Sequence, residues 1–165
     1  MAIKRKNLSS FSGELPSAKP FKIGIVVAEW NPEITESLFN AASSTLLKAG
    51  ILPKNLIRVN VPGSFELTSG AHLLAKSSSF NAIICLGCVI QGETRHFDFI
   101  CEAVANGLTN LGIKHDIPFI FGVLTTNTME QASERAGGNH GNKGDEAAIT
   151  AIKMSALAAD LKKNK

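Results

Sequence analysis

The stretch NAIICLGCVIQGETRHFDFICEAVANGLTNLG, residues 81–112, decides the fold. It begins as an apolar run typical of a buried strand, passes through polar residues from Gln91 to His96, and continues with apolar residues at helical spacing. A buried strand that leads into a helix is the repeating unit of a parallel α/β sheet. Because such sheets bind ligands at the carboxyl ends of their strands, the turn at residues 91–96 is a candidate binding site.

The same alternation extends along the chain in both directions. Predicted strands occupy residues 21–29, 56–63, 81–90 and 117–125, and predicted helices occupy residues 31–50, 64–78, 96–112, 128–137 and 145–163. Asn31 and Ser64 are predicted as N-caps. Gly50, Gly112 and the pair at 137–138 are predicted to end helices. These patterns predict a flavodoxin-like three-layer sandwich, with a four-stranded parallel sheet and helices on both faces.

Length and charge limit the class of protein. The chain has 165 residues and a formal net charge of +3, which fits one globular domain. We expect a flexible segment over residues 1–20 and a single domain over residues 21–165. The lysine and arginine clusters at residues 4–6 and 162–165 are predicted to be solvated ends, so no nucleic-acid partner is expected. No apolar run is long enough to span a bilayer, so we expect a cytoplasmic protein without a membrane partner.

Cys85 and Cys88 form a C-x-x-C pattern that a metal site or a redox pair could use. Both lie within a predicted strand, where residues three apart point to opposite faces. The two thiols are therefore predicted not to share an ion, and free buried thiols are the preferred interpretation.

Four segments together resemble the 6,7-dimethyl-8-ribityllumazine synthase family. They are VPGSFE (61–66), CLGCVIQGETRHFDF (85–99), FGVLTTNTMEQASERAG (121–137) and GNKGDEAA (141–148), in the family's order and spacing. The resemblance implies condensation of 5-amino-6-(D-ribitylamino)uracil with 3,4-dihydroxy-2-butanone 4-phosphate, releasing phosphate and water, with no metal or organic cofactor. It also implies a homopentamer, and it leaves open a larger icosahedral shell and a riboflavin synthase partner.

The family's catalytic position corresponds to His96, whose imidazole is suited to proton transfer near neutral pH. The alternative is a first-turn helix residue without chemistry. For the phosphorylated substrate, Glu93 and Thr94 would offer backbone N–H groups and a hydroxyl. The family pattern adds Arg135, and Lys143 is a weaker candidate for the same pocket. The alternative for Arg135 is a solvated charge near a helix end, and the alternative for Lys143 is a loop charge.

The pyrimidine needs a flat apolar wall and a polar edge. The resemblance implies that Trp30 stacks on the ring, whereas a buried core tryptophan is the alternative. The resemblance implies that Ser64, Phe65 and Glu66 bind the ribityl chain. It also implies that the backbone of Cys88, Val89 and Ile90 binds the edge of the heterocycle and that Phe121 closes its far side. Ser64 and Glu66 could also act as a helix cap and a first-turn acid.

The family also implies that each pocket lies between neighbouring subunits, with Trp30, Glu66 and His96 from one and Phe121 and Arg135 from the next. Two positions depart from the family pattern. Gln91 stands where Arg or Lys is frequent in the family, and Arg95 stands where a small residue or proline is common. The affinity for the substrates is therefore the property that the resemblance leaves open. A non-enzymatic flavin or nucleotide module and a purely structural shell protein remain the alternative functions.

Overall fold

A parallel sheet of four strands forms the centre of the computed structural model, which describes Leu8 and residues 13–163. The strands are β1 (Ile23–Ala28), β2 (Leu56–Val61), β3 (Ala82–Ile90) and β4 (Phe119–Thr126), in the spatial order β2-β1-β3-β4. All carboxyl ends consequently lie at the same edge of the sheet. The predicted strands are confirmed, each to within two residues at either end.

Helices cover both faces of this sheet. They are α1 (Pro32–Lys48), α2 (Leu67–Ser77), α3 (His96–His115), α4 (Met129–Ser133) and α5 (Lys143–Lys163), with a 3₁₀ turn at Pro53–Asn55 and a small antiparallel pair, β5 (Ala136–Gly138) and β6 (Gly141–Asn142). Ile25 belongs to an apolar cluster with α1 and α5, and its neighbour Val26 belongs to a second cluster with α2 and α3. The predicted α/β sandwich is therefore confirmed.

The two cysteines of the C-x-x-C pattern point to opposite faces of β3, as predicted. Cys85 packs in the cluster with α2 and α3, whereas Cys88 packs in the cluster with α1 and α5. Burial raises the pKa of both thiols, and that of Cys88 rises to about 11 with a smaller contribution from Glu33. Both side chains consequently behave as small apolar core groups.

The predicted start of α2 at Ser64 is wrong. The helix begins at Leu67, and Glu66 occupies the N-cap position without a side-chain cap bond. The Ser64 carbonyl instead accepts a hydrogen bond from the Leu67 N–H in a preceding turn, at 3.2 Å. Residues 64–66 therefore form a connection between β2 and α2.

Two predicted helix ends are also wrong. Gly112 lies inside α3, which continues to His115 and ends where Asp116 adopts a left-handed conformation with φ 54°. The glycine pair at 137–138 does not end α4, since that helix stops at Ser133 and the pair belongs to β5. In both places a glycine near the end of a helical pattern is not the residue that ends the helix.

The predicted start and end of α1 are confirmed. Asn31 is the N-cap and Pro32 the first helical residue, and Gly50 follows the helix with φ 93°. The Asn31 side chain makes no cap bond, and its amide group instead donates to the Cys88 carbonyl of β3.

Much of the predicted N-terminal segment, residues 1–7 and 9–12, lies outside the described residues. Further along, Ala18 is buried and its N–H donates to the Ala49 carbonyl at 2.8 Å. The chain is thus tied to the end of α1 before residue 20, and the division at residue 20 stays a prediction. Within residues 13–163, no helix combines the length and apolarity that crossing a membrane requires.

Candidate functional site

Hydrogen bonds join the loops at the carboxyl ends of β1, β2 and β3. The Trp30 N–H donates to the Pro62 carbonyl at 3.2 Å, which links the loops after β1 and β2. The Asn31 side-chain amide donates to the Cys88 carbonyl at 3.1 Å, which links the first loop to β3. Three walls of the candidate site therefore have fixed relative positions.

Trp30 lies on the surface of this edge, with 72% of its area exposed. The alternative of a buried core tryptophan is consequently wrong. A large aromatic ring held open to solvent is a flat surface on which a planar ligand can stack. Phe65, on the next loop, is also more than half exposed at 56%.

The connection after β2 places a hydroxyl and a carboxylate beside these rings. Ser64 is buried against β3, so that a Cβ added at Gly87 would lie 2.7 Å from the Ser64 hydroxyl oxygen. The Glu66 carboxylate folds back over the same turn, where a Cβ added at Gly63 would lie 3.1 Å from it. Ser64 does not cap α2, and Glu66 occupies the N-cap position rather than the first turn, so the alternatives of a helix cap and a first-turn acid are both wrong. Two groups that can hydrogen-bond a polyol thus lie at this edge.

The turn from Gln91 to His96 is open to solvent. The Gln91 N–H donates to the Thr126 carbonyl at 2.8 Å, which fixes the start of the turn to the end of β4. Residues 92–94 are exposed, and a Cβ added at the glycine of this turn would meet nothing within 4 Å. The backbone here can therefore approach a ligand closely, just before the first turn of α3.

His96 is the first residue of α3 and is exposed. Its backbone N–H donates to the Thr94 hydroxyl at 3.4 Å, and no described residue forms a hydrogen bond with its imidazole. Asp98 instead pairs with Arg95 at 3.6 Å and does not orient the His96 imidazole. Arg95 also lies 5.7 Å from the centre of the Phe99 ring, along the outer face of the helix. The imidazole is thus free to exchange protons with a ligand at this edge.

Phe121, Arg135 and Lys143 lie elsewhere, in a groove of about 970 Å³ between β4, the second half of α3 and α5. One Arg135 guanidinium nitrogen donates to the Gln131 carbonyl at 2.9 Å, and the Arg135 carbonyl accepts from the Lys143 N–H at 2.9 Å. The two cations are therefore neighbours on one rigid unit.

Lys143 is the first residue of α5, so its interpretation as a loop charge is wrong. Its ammonium donates to both carboxylate oxygens of Glu146, at 2.9 and 2.8 Å. Glu146 lines the same groove and was missed by the sequence analysis, although an i, i+3 pair in a first helical turn was a readable signal. An anion in this groove would meet Lys143 already paired and Arg135 with donors still available.

Within one chain, the two groups of candidate residues do not converge. The groove that contains Phe121 is lined by none of the residues named above from the loops after β1 and β2 or from the turn before α3. It extends only as far as Thr126, the last residue of β4. Phe121 pairs in register with Cys85, five residues before the end of β3, and so lies roughly 16 Å along the strand from the carboxyl edge. The candidate residues of one chain therefore form two separate groups.

No group of three or more His, Cys, Asp or Glu side chains that could hold a metal ion occurs among the described residues.

The fold and its polar edge define a flavodoxin-like α/β protein with its candidate site at the carboxyl ends of the strands. The chain belongs to the 6,7-dimethyl-8-ribityllumazine synthase family, whose model matches residues 20–159. Relatives named 6,7-dimethyl-8-ribityllumazine synthase occur in Cytophaga hutchinsonii (62% identical, covering 94% of this chain and 98% of the relative), Parabacteroides distasonis (54%, covering 96% and 100%) and Flavobacterium johnsoniae (53%, covering 94% and 82%).

Proposed function

We propose that this chain is a transferase that forms 6,7-dimethyl-8-ribityllumazine, the penultimate step of riboflavin biosynthesis. Its substrates would be 5-amino-6-(D-ribitylamino)uracil and 3,4-dihydroxy-2-butanone 4-phosphate. Family membership supports the reaction. The observation that carries the proposal is the presence, at one sheet edge, of an exposed aromatic ring, an open backbone turn and the imidazole of His96.

The pyrimidine would stack on Trp30, with the backbone of Cys88, Val89 and Ile90 along its edge. Ser64, Phe65 and Glu66 would contact the ribityl chain, since a hydroxyl and a carboxylate suit a polyol. These groups lie on loops joined to β1, β2 and β3, which keeps the ring and the ribityl chain in fixed relative positions.

The phosphate would lie at the exposed turn that contains Glu93 and Thr94, where backbone N–H groups precede α3. Arg135 would add a planar guanidinium to the same phosphate. Lys143 would contribute positive charge only in part, because Glu146 holds its ammonium.

His96 would carry protons during the reaction. The primary amine of the pyrimidine attacks the ketone, water leaves, phosphate is eliminated and the ring closes, and each step moves a proton. An imidazole can both accept and donate protons, as these steps require.

The complete site would form between two subunits of a homo-oligomer, a pentamer as the family implies. The two groups of candidate residues are separated within one chain, and the groove with Arg135 is bordered by exposed apolar side chains. Ile113 is 75% exposed and Leu161 is 59% exposed. A second copy that brings Trp30 and His96 to this groove would cover that surface and complete the site.

The reaction is tested by mixing the protein with both substrates and following the absorbance and fluorescence of the lumazine. His96→Ala should slow turnover by on the order of ten- to ten-thousandfold, the usual range for lost acid/base catalysis. Residual turnover is expected because the site still holds the two substrates together. Wild-type turnover in a folded, assembled His96→Ala sample would exclude the role of His96, and no product from the wild type would exclude the proposed reaction.

The shared site is tested by refolding His96→Ala and Arg135→Ala subunits together in equal amounts. With random mixing, about a quarter of the interfaces would combine an intact His96 with an intact Arg135, so activity should recover to about a quarter of the wild-type value. The control is the same two variants assembled separately and then combined. No recovery in verified mixed oligomers would place both residues in the pocket of one subunit.

A further inference from the structure

Two imidazole rings lie side by side between α2 and the end of α3. Nδ1 of His72 and Nε2 of His115 are 3.0 Å apart, the ring centres are 5.1 Å apart, and the ring planes are inclined by 56°. Phe119 on β4 packs against the His115 ring at 5.8 Å and limits its position. Both histidines are half-buried, and His72 also borders a groove of about 420 Å³.

This spacing matches two neighbouring ligands of one metal ion. Imidazole nitrogens bind Zn²⁺ at about 2.0–2.1 Å, and two such bonds at tetrahedral or right angles place the nitrogens roughly 2.8–3.4 Å apart. We propose that His72 and His115 form a two-histidine site for a borderline divalent ion such as Cu²⁺, Ni²⁺ or Zn²⁺. Water would complete the coordination, because no third His, Cys, Asp or Glu joins the pair among the described residues.

Binding requires a proton shift and a small rotation. In the ion-free pair, one of the two facing nitrogens carries a hydrogen and donates it to the other. Both facing nitrogens must be unprotonated to bind an ion, so the hydrogen moves through solvent to the opposite nitrogen of its own ring. The neutral pair thus binds without net proton release, and one ring turns so that both lone pairs meet at the ion.

The surrounding charges set which ions can bind. Two lysines, Lys114 and Lys76, act electrostatically on His72. These cations repel a metal ion, so ions held mainly by charge, such as Mg²⁺ and Ca²⁺, are disfavoured. Cu²⁺, Ni²⁺ and Zn²⁺ form strong bonds to imidazole and are the ions expected to bind.

The first test uses the wild-type assembly alone at pH 7.5. Electron paramagnetic resonance at one equivalent of CuSO₄ per chain should show hyperfine coupling to two equatorial nitrogens. Calorimetry should show a saturable binding heat with ZnCl₂ and none with MgCl₂. Coupling to one nitrogen or none, or equal binding of zinc and magnesium, would overturn the proposal without any variant.

The second test uses His72→Asn and His115→Asn, with His140→Asn as the matched control on the turn between β5 and β6. Each variant of the pair should bind zinc at least about tenfold more weakly and lose one copper-coupled nitrogen, whereas the control should match the wild type. Wild-type affinity and nitrogen count in both pair variants would assign the ion to other groups and overturn the proposal.

Discussion

Gly144 allows α1 and α5 to pack at very close range, and replacing it by alanine tests this packing. The residue is buried in the first turn of α5. A Cβ at this position would lie 2.7 Å from the carbonyl carbon of Leu38, 2.9 Å from the Asn142 side-chain oxygen, and closer still to the Leu38 carbonyl oxygen. Because nonbonded heavy atoms need roughly 3.5 Å, the two helices would have to separate by about 1 Å or more.

Overpacking usually destabilises a core by about 1–3 kcal/mol, and the obstacle here is a helix backbone that cannot change rotamer. We therefore expect Gly144→Ala to lower the free energy of unfolding by at least about 3 kcal/mol. In a chain of this size that corresponds to a fall in Tm of roughly 6–12 °C. Calorimetry and urea unfolding at one fixed protein concentration measure the change, since the association of subunits in the proposed oligomer would also affect Tm.

Gly112→Ala is the matched control, because Gly112 lies inside α3 and a Cβ there would come no closer than 3.8 Å to another residue. Its stability should stay the same or rise by about 0.5–1 kcal/mol, as expected for alanine in a helix. A Tm for Gly144→Ala within about 2 °C of the wild type would refute the close-packing argument.

Three further predictions concern binding, thiol reactivity and pH. Arg135→Ala should weaken binding of the phosphorylated ketone by about 2–3 kcal/mol, which steady-state kinetics would show as a higher KM for this substrate and little change in the KM for the pyrimidine. Equal increases in both KM values would indicate damaged packing instead. Buried Cys85 and Cys88, with raised pKa values, should leave at most one thiol per chain reactive toward Ellman's reagent at pH 8, against three in denaturant; rapid reaction of three native thiols would contradict this. The hydrogen bond from Arg58 lowers the pKa of Glu36. The stabilisation from this bond is therefore complete above the ordinary pKa of about 4.3 and is lost as the pH falls through the lower pKa of the folded state. Glu36→Gln should destabilise the protein at pH 7 but much less near pH 3, as urea unfolding would show.

The strands were predictable because their sequences are apolar runs between turn residues. Helix ends were less predictable, since they depend on contacts distant in sequence. Ser64 looks like an N-cap locally, yet its hydroxyl packs against β3 at Gly87. Gly112 looks like a stop, yet Asp116 supplies the left-handed residue that ends α3. Local patterns locate a helix, whereas tertiary contacts decide its last turn.

The candidate residues at the carboxyl edge were predictable from their position directly after strands, as with Trp30 and His96. The separation of Phe121 from that edge was not, because it depends on the register between β3 and β4. The pairing of Lys143 with Glu146 needed the true start of α5, which lies two residues before the predicted one.

Under the proposed function, a site divided between two subunits has an energetic consequence for assembly. Trp30 is 72% exposed and Phe121 is 44% exposed, so each chain leaves aromatic surface in water on two separate regions. A substrate that stacks on Trp30 of one subunit and contacts Phe121 of the next would bind only where the two subunits are associated. Its binding free energy then also stabilises that association, because a ligand favours the state to which it binds. Under the proposed function, substrate binding and subunit assembly are therefore linked: removing the substrate weakens the association of the subunits, and separating the subunits weakens substrate binding.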